Sequence, residues 1–225
     1  MVNVSTQDLL NEGLELCRNR KFEDGKKKLL AALKEEPQNM DVIKALIKAT
    51  SALKEMSEMK KYFEKGIETN ARDMDLILTY GGVLYRMGKY DEARNQFKKA
   101  IEIDQNSSEA HFQIANCFRK AKDYRMARQH YNKSLDLDTT YAAAYINLGL
   151  THFAEDNYHD AIYNFQMGLQ HDPKNMTALM NLALALEKSN RFKEAADYWQ
   201  RYIDLEPKGN DLDVALSHLG ACQIK

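Results

Sequence analysis

The sequence predicts an all-α array of paired helices, and three observations support this prediction. Apolar residues recur at helical spacing, and the whole pattern repeats every 34 residues. Turn-forming residues are scarce, with only 3 Pro and 10 Gly among 225 residues. A many-stranded β protein would need more Gly and Pro for its turns. A fixed period of about 20–50 residues is typical of stacked repeats, in which each repeat packs only against its neighbours.

The period is set by one position in the second half of each repeat. Steps of 34 residues from Ala161 lead forward to Ala195 and backward through Ala127 and Ala93 to Met59 and Gly25. A bulky apolar residue lies four positions after each of these. Twelve positions before each lies a residue that is small in most of the repeats. No gap is needed, so the series predicts six repeats, 6–39, 40–73, 74–107, 108–141, 142–175 and 176–209.

Each repeat is predicted to hold two helices, as the fifth repeat illustrates. Its first half places residues 145, 148, 149 and 152 on one helix face, and its second half does the same from Ala161 to Leu169. The polar residues 155–157 between them predict a short turn. Gly149 is expected to contact Ala161 where the two helices approach closely, and Phe165 is expected to fill the space between neighbouring repeats.

Prolines mark the ends of three repeats, and a further helix is predicted after the last repeat. Pro37, Pro173 and Pro207 all lie just before the next repeat, where they end a second helix without breaking its interior. Residues 210–225 contain Leu219-Gly220 at first-helix spacing. They are therefore interpreted as a capping helix or as the start of a truncated seventh repeat. A cap should be polar on its outer face, and the residues expected there are Ser217, His218 and Gln223.

This pattern resembles the tetratricopeptide repeat family, with the strongest match in Tyr145–Gly149 together with Ala161, Phe165 and Pro173. The resemblance covers residues 6–209. It implies a right-handed superhelical solenoid of antiparallel helix pairs, with a concave groove lined by the first helix of each repeat. Proteins of this kind act as interaction scaffolds, so a protein or peptide partner is expected.

The resemblance also implies which residues line the groove, because the family uses fixed positions of the first helix. These positions form one apolar row and one row of amides and a hydroxyl in the last four repeats. Amides can pair with both groups of a peptide backbone, and an apolar row can take alternate side chains. The alternative is that the apolar row packs against the neighbouring repeat. The predicted groove residues are Leu78, Thr79, Tyr85, Phe112, Gln113, Asn116, Arg119, Ile146, Asn147, Phe153, Met180 and Asn181.

The sequence also bears on three narrower functions. A carboxylate clamp needs cations where Phe112, Thr177 and Asn181 stand, so this subtype is rejected. Self-assembly through end-to-end or charged-patch contacts is the main alternative, because the basic fourth repeat precedes an acidic fifth repeat. A concentration-dependent mass that salt abolishes would favour it. RNA binding through the basic patch at 119–128 ranks last, since the groove positions are mainly apolar and amide.

Composition and the absence of motifs argue against several other functional classes. The net charge of −1 argues against a general nucleic-acid binder. The sequence contains no run of 18 apolar residues, so no membrane-spanning helix is predicted. No secretory signal is visible. Three widely spaced cysteines predict a reducing compartment, so a cytoplasmic location is expected. No catalytic motif, metal-binding motif or cofactor motif is present, and His111 and His152 are expected to be packed side chains.

Overall fold

The computed structural model describes residues 5–224, and within that range the chain contains thirteen α-helices and no strand. The all-α prediction is confirmed. Each predicted repeat holds two helices, and residues 210–224 hold one more. The helices are α1 Thr6–Arg18, α2 Phe22–Glu35, α3 Met40–Ala52, α4 Met56–Thr69, α5 Met74–Arg86, α6 Tyr90–Ile103, α7 Ser108–Lys120, α8 Tyr124–Leu137, α9 Ala142–Phe153, α10 Tyr158–His171, α11 Met176–Lys188, α12 Phe192–Ile203 and α13 Asn210–Ile224.

The chain forms two compact units, which meet in sequence between Leu84 and Tyr85. In the first unit α1 packs on α2, and α3 packs on both α2 and α4. In the second unit each helix from α6 to α13 packs on the next one in sequence. Within each unit, a helix that has neighbours on both sides in these contacts packs against the one before it and the one after it, as expected for stacked repeats.

The turn between the two helices of a repeat has one backbone conformation that recurs along the chain. A residue with φ between 58° and 76° lies at every 34th position from 20 to 190. Only Gly88 adopts this left-handed conformation without a steric cost, whereas each other residue pays about 1–2 kcal/mol. The backbone thus repeats even where the residue type does not. These residues are Arg20, Lys54, Gly88, Lys122, Asp156 and Asn190.

The predicted close approach in the fifth repeat is real, and the atoms nearest to Gly149 belong to Phe165. A Cβ added to Gly149 would lie 2.8 Å from two ring atoms of Phe165. Phe165 is fully buried. The missing side chain on α9 therefore makes room for the aromatic ring of α10, and the ring is what fixes the distance between the two helices.

The last helix is attached by a mixed aromatic and polar contact. His218 of α13 stacks on Trp199 of α12, with ring centroids 4.9 Å apart. Its Nδ1 lies 3.0 Å from Oε1 of Glu187, which also accepts the indole N–H of Trp199. His218 thus faces inward, contrary to the prediction for a polar outer face. Ser217 and Gln223 are exposed as predicted, and α13 also exposes Leu216 and Ile224.

No helix within residues 5–224 combines the length and the hydropathy needed to cross a membrane.

Candidate peptide-binding site

The predicted groove residues divide between the two compact units. Leu78 and Thr79 lie on α5 in the first unit, where Leu78 is half-buried and Thr79 is exposed. The other predicted residues belong to the second unit, beginning with Tyr85. Tyr85 is half-buried, and its ring lies 5.4 Å from that of Tyr90. Burial raises the pKa of the Tyr85 hydroxyl.

The prediction that the apolar row faces outward is wrong for two of its members. Phe112 is 8% exposed, because its ring packs between the rings of Tyr131 and Tyr141 at 5.9 and 4.8 Å. Ile146 is 5% exposed, and its Cγ1 occupies the space over Gly168 of α10. Each side chain also belongs to a buried cluster that includes first-helix residues of the next repeat, Leu148 for Phe112 and Leu179 for Ile146, in line with the alternative interpretation.

The remaining apolar members are only partly accessible. Met180 of α11 is half-buried and packs against the core of the second unit. Phe153, at the end of α9, is half-buried, and its ring meets the ring of Tyr158 edge-on at 5.4 Å. A continuous exposed apolar stripe is therefore absent from these described helices.

Four of the predicted polar residues meet in one hydrogen-bonded cluster on α7, α8 and α9, which we call the amide network. Oδ1 of Asn116 accepts from the Tyr131 hydroxyl at 2.6 Å and from Nδ2 of Asn147 at 2.8 Å. Nδ2 of Asn116 donates to Gln113 at 3.3 Å, and Nε of Arg119 donates to the Tyr131 hydroxyl at 3.3 Å. The network links the fourth repeat to the fifth through side chains alone.

Tyr131 was missed as a site residue, since the sequence shows it only as the bulky residue of its repeat. Its hydroxyl is the signal that could have been used, because Phe97 and Phe165 fill the same position elsewhere. Tyr131 is fully buried, and this burial raises the pKa of its hydroxyl even though Arg119 lies beside it. The hydroxyl therefore stays protonated and continues to donate to Asn116.

The hydrogen bonds of the amide network determine which amide groups remain available to a ligand. Asn116 is 7% exposed and its oxygen already accepts two hydrogen bonds, so little of this side chain is accessible to a ligand. Asn147 is half-buried, and its own oxygen accepts no hydrogen bond from any described residue. Asn181 is also half-buried, and it donates to the carbonyl of Thr177 in its own helix at 2.8 Å.

An open cavity of about 500 Å³ lies beside Asn147, and we call it the α9 cleft. Its wall combines one face of α9 with the turns that precede α9 and α11. Ile146 and Asn147 are the predicted groove residues that line it. The full lining is Asp138, Thr140, Tyr141, Ala142, Ala143, Ile146, Asn147, Asp172, Asn175 and Thr177.

Two aspartates of the α9 cleft come from turns, so the groove positions of the family did not include them. Asp138 accepts hydrogen bonds from the backbone and side chain of Thr140, which lower the pKa of its carboxyl. Asp172 accepts from Nδ2 of Asn175 at 2.8 Å. The two aspartates are 34 residues apart, and that spacing is the signal that could have placed them together.

The basic patch of the fourth repeat is partly neutralised within the chain. Arg128 forms an ion pair with Glu155 of the fifth repeat, and Arg119 belongs to the amide network. Lys120, Lys122 and Arg125 remain exposed around the turn between α7 and α8. Some of the opposite charges that could have attracted a second copy of the chain therefore already pair with each other within one copy.

Comparison with known proteins agrees with this architecture. Two models described as "Tetratricopeptide repeat" match residues 73–140 and 146–210, which together make up more than half of the chain. No curated protein sequence matches the chain.

Three solved structures illustrate the shared fold. PilW, a widely conserved type IV pilus biogenesis factor, has a TM-score of 0.73 and 18% identity, over 94% of this chain and 98% of its own. The pilF protein of Pseudomonas aeruginosa has a TM-score of 0.70 and 19% identity, over 94% and 96%. YrrB, a TPR protein with an unusual peptide-binding site, has a TM-score of 0.63 and 21% identity, over 79% and 92%. At such identities the likeness concerns the fold alone.

Proposed function

Because this chain belongs to the tetratricopeptide repeat family, whose repeats generally mediate protein–protein interaction, we propose that it binds an extended peptide segment of a partner protein in the α9 cleft. The observation that carries the proposal is the placement of Asn147. Its amide lines the open cleft, and Asn116 holds it there by a hydrogen bond of 2.8 Å. The binding group is thus held in place before a ligand arrives, which lowers the entropic cost of binding.

The chemistry of the α9 cleft suits a peptide main chain. The Asn147 side chain has an oxygen with no partner among the described residues, so it can accept from a peptide N–H. Thr177 is exposed and also lines the cleft, and its hydroxyl can both donate and accept. The half-buried side chains of Tyr141, Ala142 and Ala143 supply apolar surface in the same cleft. Ligand sites of about 300–1,000 Å³ commonly combine a few polar groups with apolar walls in this way.

This proposal is narrower than the groove expected from the sequence. It places binding in one cleft of the second compact unit, because Phe112, Ile146 and Asn116 are largely buried. The acidic side chains of Asp138 and Asp172 on the rim favour a peptide without acidic residues at the contact.

The proposal is tested with a peptide chosen by the protein itself. A displayed library of random peptides is selected on the wild-type chain, and the affinity of an enriched peptide is measured by fluorescence anisotropy. Asn147→Ala should weaken binding about tenfold, which corresponds to the loss of about 1.4 kcal/mol from one or two hydrogen bonds. Circular dichroism should show unchanged helicity.

The matched control is Asn95→Ala, which removes an exposed amide from α6 outside the α9 cleft. It should leave the affinity unchanged. Equal affinities for the wild type and Asn147→Ala would contradict binding through this amide, and failure to enrich any peptide would contradict peptide binding altogether.

Other functions receive less support from the described residues. We propose self-assembly as the second candidate, because α13 exposes Leu216 and Ile224, although the Arg128–Glu155 pair weakens the version based on charged patches. RNA binding would depend on the three exposed cations around the α7–α8 turn, and it remains last. Proteins of this family are typically non-enzymatic scaffolds, and we propose no catalytic role.

A cytoplasmic location remains part of the proposal. Cys17 and Cys117 carry free thiols in this structure, as expected in a reducing compartment. Burial raises the pKa of both thiols, to about 12 for Cys117, so neither is primed as a nucleophile.

A further inference from the structure

The wall of the α9 cleft carries negative charge without a cation beside it. Among the described residues that line the cleft, Asp138 and Asp172 are the only ones that carry a charge. Their hydrogen-bond partners are Thr140 and Asn175, which are neutral. A ligand that enters the cleft therefore meets two negative charges that the lining does not neutralise.

Two basic side chains from nearby parts of the second unit are engaged elsewhere. Arg201 donates through Nη2 to the carbonyl of Pro173 at 3.4 Å. The ring of His171 stacks on that of Tyr145, with centroids 5.9 Å apart. The pKa of Asp138 is lowered mainly by its hydrogen bonds from the following turn, and His171 contributes least to this shift. Asp138 is therefore ionised at neutral pH without an ion pair.

Each of the two carboxylates keeps one oxygen for a ligand. Both hydrogen bonds from Thr140 end on Oδ1 of Asp138, so its Oδ2 accepts none from a described residue. Asn175 donates to Oδ2 of Asp172, and Oδ1 of Asp172 is left in the same state. Both aspartates are half-buried, so salt screens their charges less than it would at a fully exposed site.

We propose that the peptide bound in the α9 cleft carries an arginine whose guanidinium binds both Asp138 and Asp172, an inference that rests on the proposed peptide-binding function. A guanidinium has five N–H donors in one plane and no acceptor, so it can donate to two separate carboxylates at once. Such charge-assisted hydrogen bonds are about twice as strong as neutral ones. Lysine is a compact and more strongly hydrated charge, so it is less suited to this pair of acceptors.

The apolar part of the cleft suits the rest of an arginine side chain. Tyr141, Ala142 and Ala143 are half-buried and line the same cavity of about 500 Å³. Arginine buries its methylene stem along apolar surface, and its guanidinium stacks on aromatic rings. Two small residues leave room for the stem, and Tyr141 offers an aromatic ring.

An aspartate at this position of the repeat also serves its own turn, and a third aspartate separates the two roles. Asp104 ends α6 as Asp138 ends α8 and Asp172 ends α10, each 34 residues apart and with similar backbone angles. The carboxylate of Asp104 accepts from the backbone N–H of Asn106, as that of Asp138 does from Thr140. Asp104 does not line the α9 cleft. It therefore has the turn contact without the cleft.

The experiment uses the peptides that a random library yields on the wild-type chain. These peptides should share an arginine. Citrulline in place of that arginine keeps the size and removes the charge, so the affinity measured by fluorescence anisotropy should fall about tenfold. Lysine in the same place should give an affinity between these two, because it keeps the charge but not the planar set of donors. These measurements use the unaltered chain and do not depend on how a variant folds.

Asparagine variants of the protein test the same contact from the other side. Asp138→Asn and Asp172→Asn should each weaken the arginine peptide about tenfold and leave the citrulline peptide unchanged, because both changes remove the same interaction. Asp104→Asn is the matched control and should leave both affinities unchanged. A role confined to the turns would instead change the three variants alike and would not distinguish the two peptides.

The outcomes separate this inference from the proposed function. Enriched peptides without a shared arginine, or equal affinities for arginine, lysine and citrulline, would overturn the inference, as would an equal loss in Asp104→Asn. In each of these cases, weaker binding to Asn147→Ala would still support a peptide in the α9 cleft. Failure to enrich any peptide would overturn both.

Discussion

Trp199→Ala is expected to lower the free energy of unfolding of the second compact unit by about 3–5 kcal/mol. Trp199 is 1% exposed. Its ring stacks on His218 and meets Tyr202 edge-on with centroids 6.0 Å apart. Its N–H donates to Glu187. The substitution therefore opens a large cavity among α11, α12 and α13 and removes one hydrogen bond.

Trp199→Phe is the milder substitution, since it keeps one buried aromatic ring and loses the indole N–H together with the rest of the indole ring system. Its loss should be clearly smaller, because Glu187 still has His218 as a partner. Both variants are compared by urea unfolding and by hydrogen exchange of the α13 amides. In Trp199→Ala these amides should exchange first, since α13 rests on this contact. A loss below about 1 kcal/mol for the alanine variant would show that the region is not packed as described.

Tyr131→Phe is expected to destabilise the fold by about 1–3 kcal/mol, the cost of breaking hydrogen bonds to a buried group. The hydroxyl is buried, donates to Asn116 at 2.6 Å and accepts from Arg119 at 3.3 Å. Phenylalanine keeps the contact with Phe112. The change should also loosen Asn147, because Asn147 is held by the same oxygen of Asn116. Peptide affinity should therefore fall together with stability.

Tyr202→Phe is the matched control for this variant. Tyr202 is equally a buried tyrosine of the second unit, at 4% exposure, but it does not belong to the amide network. Thermal and urea unfolding of both variants should show the larger loss for Tyr131→Phe. If the two losses are the same, the amide network does not contribute the stability assigned to it.

The helices and their order could be predicted from the sequence, because the period of 34 residues and the helical spacing of apolar residues are local properties. The turn conformation could not, since only Gly88 among the six left-handed residues reveals it. At the other five positions the packing of the flanking helices imposes the conformation in spite of its steric cost.

The site could be predicted only in part, for a physical reason that Phe112 and Ile146 make clear. Position within a repeat tells which face of a helix a side chain occupies. It does not tell how closely the next repeat approaches that face, and here the approach buries both side chains. Asn147 was found because its amide remains at the surface of the α9 cleft. The two aspartates of that cleft were missed because turns that are distant in sequence bring them together.

The most direct test of the account is a photo-crosslink from inside the α9 cleft to the selected peptide. A photoreactive phenylalanine analogue replaces Thr177, which is exposed in the cleft, or Tyr163, which is 57% exposed on α10 outside it. The peptide should crosslink through position 177 and fail to crosslink through position 163. A peptide that binds yet crosslinks only through position 163, or through neither position, would contradict binding in the α9 cleft.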